Sequence, residues 1–193
     1  MRMTPQVHSL AAQSRARAGW RSRISLAMLC LALIARPAVA EEEVSPNHKP
    51  VKEVAPAGLA VGAARLPLYL SADWSAPLPD IMRAVLVLHG RLRNADIYYG
   101  SAMTAKAAAG KSAIVIVPQF LAGIDIEAHG LPADTLRWTL EGWEGGEDAI
   151  APSSTSSFEA LDAILDRLAD RRLFPNLKEV VVAGHSGGAQ VVQ

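Results

Sequence analysis

This chain has one cysteine, no acidic residue in its first forty positions, no membrane-length apolar run, and neither histidine nor carboxylate in its last seven residues. Each absence excludes something. Cys30 lies inside the apolar stretch "ISLAMLCLALIA" (24–35). If that stretch leaves on export, no thiol remains, which excludes disulfides, cysteine nucleophiles and cysteine-ligated metals. Cys30 is not read as a lipidated N-terminus, because bulky Leu29 stands where a small residue is wanted. The stretch has 12 residues, short of the about 20 that span a bilayer. A stable membrane anchor is therefore not expected.

The missing acids have a pattern. Residues 1–40 hold six Arg and no Asp or Glu, which leaves 13 basic against 19 acidic residues in the remainder, a net charge of −6. A body of that sign lacks the basic face that nucleic-acid binding needs. An Arg-bearing start, an apolar core and "RPAVA" make the three-part layout of an export signal, with cleavage expected after Ala40. A periplasmic or secreted location follows from that reading; a transit peptide, also Arg-rich and acid-poor, is the rival, against which the unbroken apolar core and the Ala-x-Ala end count.

Residues 41–58, "EEEVSPNHKPVKEVAPAG", carry three prolines and many charges, and read as a flexible leader. From residue 59 to 193 the text becomes one domain of alternating strands and helices. "LPLYLS" (66–71), "AVLVLHG" (84–90), "AIVIVP" (113–118) and "EVVVAG" (179–184) read as strands. A helix is expected after Asn94 and before Gly110, and another over "SSFEALDAILDRLADRRL". In the second, Ser156 and Glu159 have capping-box spacing, and Phe158, Leu161, Leu165 and Leu168 form an apolar stripe. The strands are apolar throughout, as when both sheet faces are covered. The expected fold class is α/β, a doubly wound and mostly parallel sheet.

Gly184, Ser186 and Gly188 in "VVVAGHSGGAQVVQ" fit G-x-S-x-G, and the context is right: a strand precedes and a helix follows. So tight a reversal leaves no room for side chains beside the serine and displays its Oγ above the sheet. The N–H of Gly187, opening a helix, is one candidate oxyanion donor. The second comes from the loop after an earlier central strand, "LHGRLRN" (88–94), where Gly90 permits close approach and the Arg91 N–H is the candidate. "GHSGG" has the spacing of neither common nucleotide loop, so no cofactor is expected.

Together, "VLVLHG", "AIVIVPQF" and "VVVAGHSGGAQ" resemble the N-terminal half of an α/β-hydrolase-fold serine hydrolase. The chain is similar to bacterial exported hydrolases sharing "HGxxRNAD", a "GW" loop, "SSF" before a helix and "GHSxG", from about Pro67 to Gln193. The resemblance implies Ser186 as nucleophile, Gly187 and the loop after Gly90 as oxyanion hole, and small or polymeric ester or related acyl substrates. It does not choose among them.

In that fold the acid and the histidine follow the serine, yet "GGAQVVQ" contains neither. The chain therefore reads as the front portion of a longer hydrolase, apparently truncated after the elbow and inactive alone, its strand 179–184 left as an apolar edge. The histidines are weighed in turn. His8 goes with the signal, His48 lies in the leader, and His89, at the oxyanion loop, reads as structural. His185 reads as packing or hydrogen-bonding beneath the elbow, and His129 is a remote candidate base. The alternative function is a non-catalytic binding module that keeps the elbow as scaffold.

More than 30 residues separate Gln119 from Ser153 without an obvious strand or long helix. Trp138 and Trp143 within them read equally well as a substrate-contacting wall or as pins holding the loop to the domain. Glu141, Glu144, Glu147 and Asp148 match no metal-loop spacing and read as a solvated acidic turn. No metal is expected. Oligomeric state is not legible.

Overall fold

The computed structural model describes residues 45–193. The expected export signal, with Cys30 and His8, lies outside the described residues.

A five-stranded sheet organises the chain in the order β1-β2-β4-β3-β7. The strands are β1 (Ala57–Val61), β2 (Ala64–Leu70), β3 (Arg83–Leu88), β4 (Ala113–Pro118) and β7 (Glu179–Gly184). β1 pairs with β2, and β2 with β4, antiparallel; β4 with β3, and β3 with β7, are parallel. The sheet is thus mixed, and its parallel half carries the elbow. All six residues of central β4 are buried, as a strand covered on both faces requires. β1 was hidden within "AGLAV", which has no strong apolar run. It is joined to β2 through Gly62, whose φ of +60° suits a tight hairpin.

Helix α1 (Ala95–Ala109) covers one face, where Tyr69, Val85, Val87, Tyr98, Tyr99 and Met103 pack around Ala95, Val115 and Val117. The larger core lies on the other face, from Leu66, Leu68, Leu86, Leu88, Ile114 and Ile116 to Phe174. Helix α3 (Ser157–Ala169) closes that side. Its capping box forms as expected: Glu159 N donates to Ser156 Oγ at 3.1 Å, and Ser156 N to Glu159 Oε2 at 2.7 Å. The apolar stripe holds in part: Leu168 is buried and Leu161 packs half-buried against the core. Ser157, Ala160, Ile164 and Leu168 are buried, while Phe158 and Leu165 are exposed. Phe158 instead lays its ring over Gly146.

The long connection is structured. It contains β5 (Leu121–Ala122), α2 (Gly123–His129), β6 (Arg137–Trp138) and a 3-10 turn over Gly142–Gly145. β5 and β6 pair in parallel, and Arg65 of β2 bonds the Asp134 carbonyl and the Leu136 N–H through its backbone. Trp138 and Trp143 are both fully buried, Trp143 stacked on Phe120 with 5.0 Å between centroids and Trp138 edge-on to it at 5.2 Å. Both tryptophans belong to the core cluster and pin the segment to it.

The leader also departs from expectation. Residues 45–56 contain only one short 3-10 turn, yet buried side chains bond their backbone at several points. Its last two residues, Ala57 and Gly58, begin β1. β7 is the sheet's edge, with Val180 and Val182 each more than a third exposed.

Candidate active site

The parallel register of β3 and β7 sets Leu88 opposite Gly184, so both strands end at the same level. The two following loops are then neighbours. His185 N donates to the Leu88 carbonyl at 3.3 Å and Gly188 N to the His89 carbonyl at 3.0 Å. Between those bonds Ser186 turns with φ +54° and ψ −118°, before α4 (Gly187–Val192). A side-chain-bearing residue in that region stores about 1–3 kcal/mol of backbone strain. Ser186 is exposed.

The flanking glycines answer to specific atoms. A Cβ on Gly188 would stand 2.5 Å from the Leu88 carbonyl oxygen and 2.6 Å from that of His89. One on Gly184 would overlap the Gly188 carbonyl. One on Gly90 would lie 2.9 Å from Tyr98 Oη, 3.3 Å from Ser186 Cβ and 3.5 Å from His185 Nδ1. The turn after β3 therefore touches the elbow. Among the described residues, neither the Arg91 N–H nor the Gly187 N–H has an acceptor. Both amides lie in the two loops that meet here, the turn after β3 and the start of α4.

His89 is structural. Phe120 N–H donates to its Nε2 at 2.9 Å, so that nitrogen carries the lone pair and Nδ1 carries the proton, donated to the Gly90 carbonyl at 2.9 Å. The ring is fully buried beside Trp143, at 4.6 Å between centroids. Burial pushes its pKa down to about 4, against a smaller upward pull from the Gly90 bond. A neutral imidazole of fixed tautomer thus holds the turn after β3 to the residues that follow β4.

His185 is exposed, and its Nδ1 shares a hydrogen bond of 2.9 Å with Tyr98 Oη. Tyr98 was not singled out from sequence; its place one helical turn after Asn94 was the available signal. His129 bonds the Val51 carbonyl through Nε2 at 2.8 Å, in the leader and not at the elbow. Among the described residues, no histidine or carboxylate is hydrogen-bonded to Ser186 Oγ.

Glu144 contradicts the solvated-turn expectation. Its carboxylate is buried, lies against Gly187, and takes Arg91 Nε at 3.0 Å on both oxygens. Arg91 also approaches Glu141 at 3.6 Å, and these carboxylates hold its guanidinium further toward the charged form. The pair ties the turn after β3, the 3-10 turn and the start of α4 to one another. Sequence spacing could not reveal it, since Arg91 and Glu144 are 53 residues apart. Among the described residues no cluster of three metal-ligating side chains occurs.

No family model matches the chain, and no curated protein does. Among solved structures the chain is similar to poly(aspartic acid) hydrolase-1 from Sphingomonas sp. KT-1, at 22% identity and a TM-score of 0.48. The match covers 75% of this chain and 50% of the other, so the chain spans about half of that hydrolase's length. A likeness so slight carries neither fold nor chemistry, which rest on the geometry above: an α/β domain with a mixed sheet, presenting a strained, exposed serine on a strand-to-helix turn packed against the turn after β3.

Proposed function

We propose that the protein is an exported serine hydrolase of the α/β-hydrolase type, cleaving ester or related acyl substrates through an acyl-enzyme on Ser186. The observation that carries this reading is Ser186 itself, held at φ +54° on a strand-to-helix turn against Gly90. Such strain persists only where the surroundings over-determine it, and it is concentrated at functional sites.

In the proposed reaction Ser186 Oγ attacks the acyl carbon while its proton passes to a base. The carbonyl oxygen, now negative, sits between the N–H groups of Arg91 and Gly187. Collapse expels the alcohol, and water then releases the acid by the same route. Among the described residues none is hydrogen-bonded to Ser186 Oγ so as to take the proton, and the proposed base and its orienting acid are left unassigned. Without them the hydroxyl stays protonated and is a weak nucleophile. The export signal read at residues 1–40 would place this hydrolysis outside the cytoplasm.

A p-nitrophenyl acyl ester tests the reading with the product of the whole open reading frame. A burst of nitrophenol equal to the enzyme present, lost in Ser186→Ala, is expected. A folded product giving no turnover above Ser186→Ala would instead favour the binding-module alternative.

A further inference from the structure

Five alternate positions of the leader, from residue 47 to residue 55, offer backbone groups to three side chains that are all fully buried. Arg93 Nη1 donates to the Asn47 carbonyl at 2.8 Å and Nη2 to that of Lys49 at 3.0 Å. Val51 N donates to Asp125 Oδ1 at 2.8 Å. Gln119 donates to the Glu53 carbonyl at 3.0 Å and accepts from Ala55 N at 2.8 Å. Every contact is to main chain: Asn47 lies in the 3-10 turn, and from Lys49 to Ala55 the contacts fall on alternate residues, as an extended segment presents them.

The same three side chains hold the oxyanion turn. Arg93 has φ +57°, its N–H donates to the Gly90 carbonyl at 3.0 Å, and its own carbonyl accepts from Gln119 Nε2 at 2.8 Å. Its guanidinium bonds Asp125 through Nε at 2.7 Å and Nη2 at 3.1 Å, and Asp125 also accepts the Ala122 N–H. Arg93 Nη1 further reaches the Arg91 carbonyl at 3.4 Å. All five guanidinium N–H groups are thus used, two of them by the leader. A buried cation with unpaired donors is costly, so the turn keeps this geometry only while the leader is seated.

We infer that residues 47–55 are a clasp that positions the oxyanion turn: Arg93, Gln119 and Asp125 read the leader's backbone and convert its seating into the placement of Gly90 and Arg91. Its catalytic consequence rests on the hydrolase reading; the structural coupling does not. Arg93 acts through the turn and is a positioning residue. The clasp lies past the expected cleavage after Ala40, so export processing would leave it intact.

Native-state amide exchange on the unaltered protein tests the coupling first. The Val51, Ala55 and Arg93 amides are expected to open as one unit, with the same protection and the same urea dependence. Val51 and Ala55 exchanging tenfold or more faster than Arg93 would overturn the inference. Val51→Pro then removes one N–H and leaves every side chain of the site in place. With the product of the whole reading frame, fluorophosphonate labelling of Ser186 should slow about tenfold in its maximal rate with little change in probe affinity, while Val51→Ala labels like the parent. Equal labelling of Val51→Pro and the parent would overturn the catalytic consequence. If the parent itself does not label, the hydrolase reading fails, and the exchange result still decides the clasp. If Val51→Pro does not fold, Ala55→Pro, which deletes the Gln119 bond instead, takes its place, and the unaltered protein's exchange remains decisive.

Discussion

Gly90 and Ser186 are in contact across two loops: a Cβ on the glycine would stand 3.3 Å from the serine Cβ. Register makes that contact. β3 and β7 end together at Leu88 and Gly184, and whatever follows each must share the space above the sheet. The glycine lets the turn approach, and the strained serine occupies what remains.

Gly90→Ala should therefore harm the site more than the fold. Its nearest clash is the far end of Tyr98, which can move, whereas Ser186 Cβ cannot move far. We expect fluorophosphonate labelling to fall at least about tenfold, short of the about 100- to 1000-fold of losing an oxyanion donor outright, with about 1 kcal/mol or less lost in urea unfolding.

Gly188→Ala should do the reverse. Its Cβ meets two carbonyl oxygens of backbone, those of Leu88 and His89, and neither is free to give. A loss of about 3 kcal/mol is expected from overpacking of this kind. Urea midpoints close to the parent would show that the elbow rests farther from β3.

Ser186→Gly should stabilise the protein while removing the proposed nucleophile. Glycine adopts φ +54° without the side-chain penalty, so relief of the strain offsets the added entropy of the unfolded chain. A gain of up to about 1 kcal/mol is expected, whereas Ser186→Ala keeps the penalty and gains nothing. Thermal unfolding of the three proteins side by side decides it.

Acid should destabilise the fold through His89. Its imidazole is neutral when folded, with a pKa near 4, and ordinary, at about 6.5, when unfolded. Above pH 6.5 neither state binds the proton and the group contributes nothing to the pH dependence. Between pH 6.5 and 4 only the unfolded state binds it, so stability falls as pH falls, by about 1.4 kcal/mol per unit at most and about 3 kcal/mol in all. Below pH 4 this contribution levels off. Urea midpoints across that range, with the His89 ring followed by NMR, measure the effect; a ring titrating near 6.5 would contradict it.

Sequence patterning carried the parts whose cause is local. Strand β4 is apolar throughout because both its faces are covered, and Ser156 with Glu159 caps α3 through neighbours three apart. The elbow was legible because its glycines answer to backbone only a few residues away or one strand over. Helix α3 was misread at Phe158 and Leu165, which are apolar at the right period, because small Ser157 and Ala160 face the core beside Leu161 and Leu168. The leader misled for a related reason. Its prolines and charges describe side chains, while Arg93, Gln119 and Asp125 grip its main chain. Glu144 was hidden because its partner is Arg91, brought near only by the fold.

The most direct measurement is the site of fluorophosphonate modification, read by mass spectrometry on the product of the whole reading frame. The account predicts one adduct on Ser186, absent after Ser186→Ala and after unfolding. A folded product with a cooperative urea transition and no adduct on Ser186 would contradict it.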